Sequence, residues 1–194
     1  GAVEMKANTA IGLVLSACAL FILSGRPSRP QQRLAQALGW VVLALGLATL
    51  GQYLFGWQLG IDEWLFRDTT DAYNPTRGRM SPYSAVAFAF MGFALTALPQ
   101  RALRPLAQLA ALIVIAIGAI SFLGYLWNAS ELVTDRWLPP VAVNTAVVFI
   151  LLGAGLLGIR RKSGQQGLIR TSVELKVLAG FISAFALLLV MGAY

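Results

Sequence analysis

Six apolar runs, Ala7–Ser24, Leu34–Phe55, Pro82–Leu98, Leu106–Trp127, Pro140–Ile159 and Leu175–Tyr194, divide the chain. About 20 predominantly apolar residues carry a helix across the hydrocarbon core of a bilayer. Each run comes close to that length. In lipid a backbone has no water to bond to, and a helix satisfies its own polar groups, so each run is expected to be helical. The chain is 58% hydrophobic and only 12% charged over 194 residues, more apolar surface than a soluble domain of that size hides. The sequence therefore predicts an all-α fold, a polytopic membrane bundle of six transmembrane helices. Residues 1–160 form the bundle, 161–174 a basic cytoplasmic linker, and 175–194 a final transmembrane helix.

Charge gives this bundle a direction. The links Gly25–Arg33, Gln100–Pro105 and Arg160–Lys176 carry Arg26, Arg29, Arg33, Arg101, Arg104, Arg160, Arg161, Lys162, Arg170 and Lys176. The opposite side holds Lys6, Arg67, Arg77, Arg79 and Arg136 together with seven of the eight acidic residues. Lys and Arg accumulate on the cytoplasmic side of membrane proteins. The first set is accordingly expected inside, and the net charge of +7 reads as a topology signal with no nucleic-acid partner implied. Residue 1 then lies outside. With no initiator Met or signal peptide ahead of "AVEMK", the chain reads as a piece of a longer one, preceded by another outward-running helix.

A short signature recurs within the runs. Asn8-Thr9-Ala10, Tyr83-Ser84-Ala85 and Asn144-Thr145-Ala146 each open an inward-running helix, and each is followed at one distance by a small residue, Ala17, Gly92 or Gly153. The outward runs match too: "GLATLGQYLF" aligns with "GAISFLGYLW", pairing Gly46 with Gly118, Thr49 with Ser121 and Tyr53 with Tyr125. Copies of one orientation imply parallel hairpin repeats about an axis along the membrane normal, unlike inverted transporter repeats. Small residues in such helices permit close approach.

Asn8, Thr9, Tyr53, Tyr83, Ser84, Tyr125, Asn144 and Thr145 then share a depth near the outer leaflet. They read either as helix starts, packing contacts and interface anchors, or as the border of a shallow pocket for an amphiphilic, lipid-like ligand. In the second case the positive ends of the inward helices face its head group.

Several chemistries find no residues here. The chain has no His, which excludes His-ligated cofactors within it, and the single Cys18 offers no disulfide or thiolate pair. Cys18 is expected to be a buried packing residue. No run carries a charge at mid-depth, where proton relays and ion-coupled carriers keep one. No phosphate loop or nucleophile constellation is present, so no enzyme activity, cofactor or metal is expected. In the segment Gly56–Met80, Asp62, Glu63, Asp68 and Asp71 suggest calcium only weakly, their spacing fitting no loop motif. "IDEWLF" reads better as a short interfacial helix.

Taken together, "YLFGWQLGIDEWLF", "RMSPYSAVAFAFMGFAL" and the Asn-Thr-Ala starts resemble the multi-helix membrane modules that precede PAS, diguanylate cyclase or histidine kinase modules in bacterial signalling proteins. Inward helices there open with a Pro-Asn-Thr-Ala-like motif, matched at Asn8–Ala10 and Asn144–Ala146 and altered at Tyr83–Ala85. The last run, "VELKVLAGFISAFALLLVMGAY", is similar to the first membrane helix leading into a CHASE-type periplasmic sensor domain. The resemblance implies a sensor module of the bacterial inner membrane, non-catalytic in itself, acting as a homodimer through its parent. A non-catalytic subunit of a larger membrane complex, or a small-molecule carrier, are the alternatives the composition leaves.

Overall fold

The computed structural model describes residues 5–62, 78–126 and 141–159. Among them the fold is all-helical: α1 (Ala7–Ser24), α2 (Arg29–Phe55), α3 (Pro82–Ala97), α4 (Arg104–Leu126) and α5 (Val143–Gly158), with a 3-10 turn over Arg101–Leu103 leading into α4. The count of six transmembrane helices is not shown. There are five α-helices among the described residues, and three of them, α1, α2 and α4 with its lead-in turn, are long and apolar enough to cross a membrane. α3 and α5 have 16 residues each, about 24 Å of helix against a hydrocarbon core of about 30 Å. Pro82 at the first turn and the turn at Leu98–Gln100 bound α3, while α5 ends at Gly158. The linker 161–174 and the run 175–194 lie outside the described residues.

Helix ends follow from local chemistry. α2 starts ahead of its apolar run because Gln31 Oε1 accepts from the Ser28 backbone N–H at 2.8 Å, and Pro30 suits a first turn. Its other end is Gly56 at φ +67, a left-handed cap that glycine adopts without steric cost. Ser81 accepts from the Ser84 backbone N–H at the head of α3.

The helices alternate in direction. α1, α3 and α5 run forward, from the end that carries Asp62 to the end that carries Arg26, Arg29, Arg101 and Arg104, and α2 and α4 return. α2 packs most extensively on α3, and α4 on α5; smaller interfaces join α1 to α2 and α3 to α4, while α1, α3 and α5 also touch one another.

Glycine sets the closest of these approaches. A Cβ built on Gly46 of α2 would lie 2.6 Å from Ala89 N and 2.7 Å from Ala85 O of α3. One on Gly118 of α4 would lie 2.7 Å from Ala146 O of α5. Between the forward helices the core is aromatic and aliphatic: Phe88 and Phe149 meet edge to face at 5.2 Å, with Leu20, Leu95 and Leu156 buried alongside.

The outer surface stays apolar, with Trp40, Leu47, Leu109 and Ile120 exposed. An exterior with so many exposed apolar side chains suits lipid. Cys18 is exposed as well, contrary to its expected burial, because the side of α1 that carries it is covered by no described helix.

The glycine contacts generate a stability prediction. Gly46→Val forces a branched side chain onto the α3 backbone and should cost about 3 kcal/mol, the upper part of the overpacking range. Gly124, whose Cβ would meet nothing within 4 Å, should accept alanine within about 0.5 kcal/mol. Thermal unfolding in detergent compares the two, and equal melting temperatures would contradict the close approach of α2 to α3.

Candidate functional site

The last turns of α2 place Thr49, Gln52 and Tyr53 at the Asp62 end of the bundle, and the chain beyond Gly56 turns back over them. Asp62 becomes the hub. Its Oδ2 accepts from Gln52 Nε2 at 2.7 Å and from Arg79 Nε at 3.1 Å. The Asp62 and Arg79 side chains are only 11% and 12% exposed, so this ion pair sits where water screens it weakly. Arg79 also lies 5.2 Å from the centre of the Tyr53 ring, within cation–π reach. The Tyr53 hydroxyl donates to Met80 O at 3.0 Å, and Asn8 Nδ2 of α1 donates to Ile61 O at 2.9 Å. One network thus ties α1, α2 and the approach to α3 together.

The network has acceptors to spare. Thr49 Oγ1, Gln52 Oε1 and Asp62 Oδ1 are buried with no hydrogen-bond partner among the described residues. Thr49 and Gln52 are three residues apart on one helix, hence on one face, and both are almost fully buried. Buried polar atoms are normally satisfied. Oxygens without a partner among the described residues mark a place where a further donor is energetically favoured.

The residues proposed from the sequence divide. Asn8 and Tyr53 join the Asp62 network. Thr9, Ser84 and Thr145 are buried; Ser84 receives the Ser81 hydroxyl proton at 3.0 Å. Tyr83 is 40% exposed. Asn144 Oδ1 accepts from the Thr145 N–H at 3.0 Å, satisfying one of the donors that a helix start leaves open. Tyr125, on α4, has a buried hydroxyl with no partner among the described residues. No hydrogen bond among those residues joins Tyr125, Asn144 or Thr145 to Asp62.

Gln52, Thr49 and Arg79 were missed as site residues, and Asp62 was read only within a weak calcium cluster. Gln52 carried a usable signal: an uncharged amide inside an apolar run needs an internal partner. The described residues hold no group of three or more His, Cys, Asp or Glu side chains placed for a metal. They form a shallow cleft at the opposite end, lined by Leu23, Pro27, Leu98, Pro99, Arg104 and Ile159.

Comparison with known proteins gives nothing to lean on. No family model, curated protein or solved structure matches the chain.

The geometry of the Asp62 network predicts an asymmetric response to mutation. Arg79→Met strands the Asp62 carboxylate in a weakly solvated place and should cost about 3 kcal/mol, as breaking a buried pair does. Adding Asp62→Asn should recover part of the loss, since the stranded charge is gone. A double-mutant cycle by thermal or denaturant unfolding checks this. Strictly additive losses would show that the two groups do not act as a pair.

Proposed function

We propose that the chain is the signal-input module of a bacterial signal-transduction protein, embedded in the inner membrane with the Asp62 end outside and the Arg-rich end in the cytoplasm. The observation that carries this reading is the Asp62 network. It is a buried charged cluster with three acceptors that lack a partner among the described residues, set at one end of an otherwise apolar bundle and tied to α1, α2 and the segment before α3. The arginines gathered at the opposite end support the orientation, and the resemblance to modules that precede kinase or cyclase domains supports the class.

The mechanism follows from linkage. A ligand shifts a helix arrangement only by binding two arrangements unequally. A donor-bearing head group of an amphiphile, entering from the outer leaflet, would meet Thr49 Oγ1, Gln52 Oε1 and Asp62 Oδ1. These atoms stand on α2 and on the chain that crosses the start of α1, so occupancy alters how α1 and α2 are held together. The run 175–194, followed by an output domain in the parent, is the natural path for that change. In this reading the bundle of residues 1–160 crosses the membrane repeatedly, with α3 and α5 completing short spans, and the parent acts as a homodimer. The chain itself performs no catalysis.

Exposed apolar sides of α1 favour a second reading, a non-catalytic subunit whose faces are covered by other helices of a complex. The two readings differ in what Gln52 does. In a sensor, Gln52→Leu removes an unpaired acceptor and one bond to Asp62, and should change the amplitude of the parent's output at unchanged membrane abundance. Asn144→Ala, which removes only a local helix-start bond, should cost about 1 kcal/mol and leave the output alone. A reporter strain with immunoblot quantification measures both. Wild-type output from Gln52→Leu at equal abundance would remove the sensor reading.

A further inference from the structure

Each return helix lies antiparallel against the forward helix that follows it, and the two pairs use the same positions. Gly46 of α2 meets Ala85 O and Ala89 N, while Gly118 of α4 meets Ala146 O and Ile150 N. In the other direction Gly92 of α3 meets Gly39 O and the Leu43 backbone, and Gly153 of α5 meets Ala111 O and Ile115. The forward faces are thus Ala85, Ala89, Gly92 and Ala146, Ile150, Gly153. Registering the starts Asn8-Thr9-Ala10, Tyr83-Ser84-Ala85 and Asn144-Thr145-Ala146 puts Ala10, Val14 and Ala17 on the same face of α1.

The rest of α1 is used as its counterparts are. Thr9, Leu13, Ser16 and Leu20 are buried, as are Ser84, Phe88, Met91 and Leu95 on α3, and Thr145, Phe149, Leu152 and Leu156 on α5. A Cβ on Gly12 would meet the Phe88 ring, and one on Gly155 the Leu20 side chain. Three forward helices therefore share one core, and each has an outer seat for a return helix. Among the described residues two seats are filled. At the third, Val14 is 61% exposed and Phe21, two turns further on, is 63% exposed.

We propose that the seat on Ala10, Val14 and Ala17 takes an apolar return helix lying immediately ahead of α1 in the parent polypeptide, with Gly or Ala seven residues apart facing Val14. Both filled seats take the helix that directly precedes the forward helix, and both return helices pack more on that following helix than on the one before. Small residues at positions 10 and 17 admit the same close backbone approach. A second copy does not reproduce this packing through α1 itself. Two copies in one membrane share an orientation, so α1 would meet α1 in parallel, whereas both filled seats are antiparallel. The run 175–194 has the right length, but Leu189 and Ala193 stand where α2 has Thr49 and Tyr53 when Ala186 is set on Gly46.

A photo-crosslinking side chain, p-benzoylphenylalanine, in place of Val14 in the full-length parent tests this in its native membrane. Mass spectrometry should map the adduct to a peptide ahead of residue 1, and the same probe at Trp40, which is 62% exposed on α2, should not give it. Ala17→Leu, which fills the seat and leaves the core face alone, should abolish the Val14 adduct at unchanged protein abundance. Adducts confined to lipid, to residues 175–194 or to a second copy would overturn the proposal, as would an adduct insensitive to Ala17→Leu.

Discussion

The structure depends on backbone-to-backbone contact at glycine. In lipid the tails are as apolar as the side chains, so helices gain little hydrophobic free energy by meeting one another. Association rests on close packing instead. Gly46 and Gly92 remove the side chains that would hold α2 and α3 apart, and Gly118 and Gly153 do the same for α4 and α5. Dispersion falls off over fractions of an ångström, which makes an added Cβ at these points costly. The aromatic and leucine core between the forward helices, and the polar network at one end, are placed by that contact.

The network is consistent with a bundle that is apolar almost everywhere else. A buried ion pair contributes little net stability, because desolvation offsets its attraction. Its value is positional. Asp62 Oδ2 receives one proton donor from α2 and one from the segment before α3, and Asn8 fastens the neighbouring carbonyl to α1. The connection between α2 and α3 is therefore registered against α1. The oxygens of Thr49, Gln52 and Asp62 that lack a partner among the described residues lie at that joint.

Much of this architecture was legible in the residues. The first apolar run coincides with α1, and Gly46, Gly92, Gly118 and Gly153, which read as close-approach points, do lie against backbone. Helix starts were less legible, since α2 begins at Arg29 and not at the start of its apolar run, where a Ser28–Gln31 exchange and Pro30 favour helix regardless of polarity. Which helices pair most closely was not legible. A repeat of alternating helices can be divided as forward–return or return–forward, and only contacts distinguish them. The site was half legible. Asn8 and Tyr53 stood out as recurrent, but Asp62, Gln52 and Arg79 meet across a connection whose spacing follows no motif. Thr9, Ser84 and Thr145 recur because they occupy the shared core, which a recurring signature alone does not separate from a pocket.

In the proposed orientation the end of the bundle with Asp62 faces outside and the arginine end faces the cytoplasm. Single-cysteine labelling in a Cys18→Ser background tests it most directly. Leu59→Cys, at an exposed position beside Asp62, should react with an impermeant maleimide added to intact cells, and Gln100→Cys at the arginine end should react only after the membrane is opened. Labelling of Gln100→Cys in intact cells, with Leu59→Cys protected, would contradict this orientation.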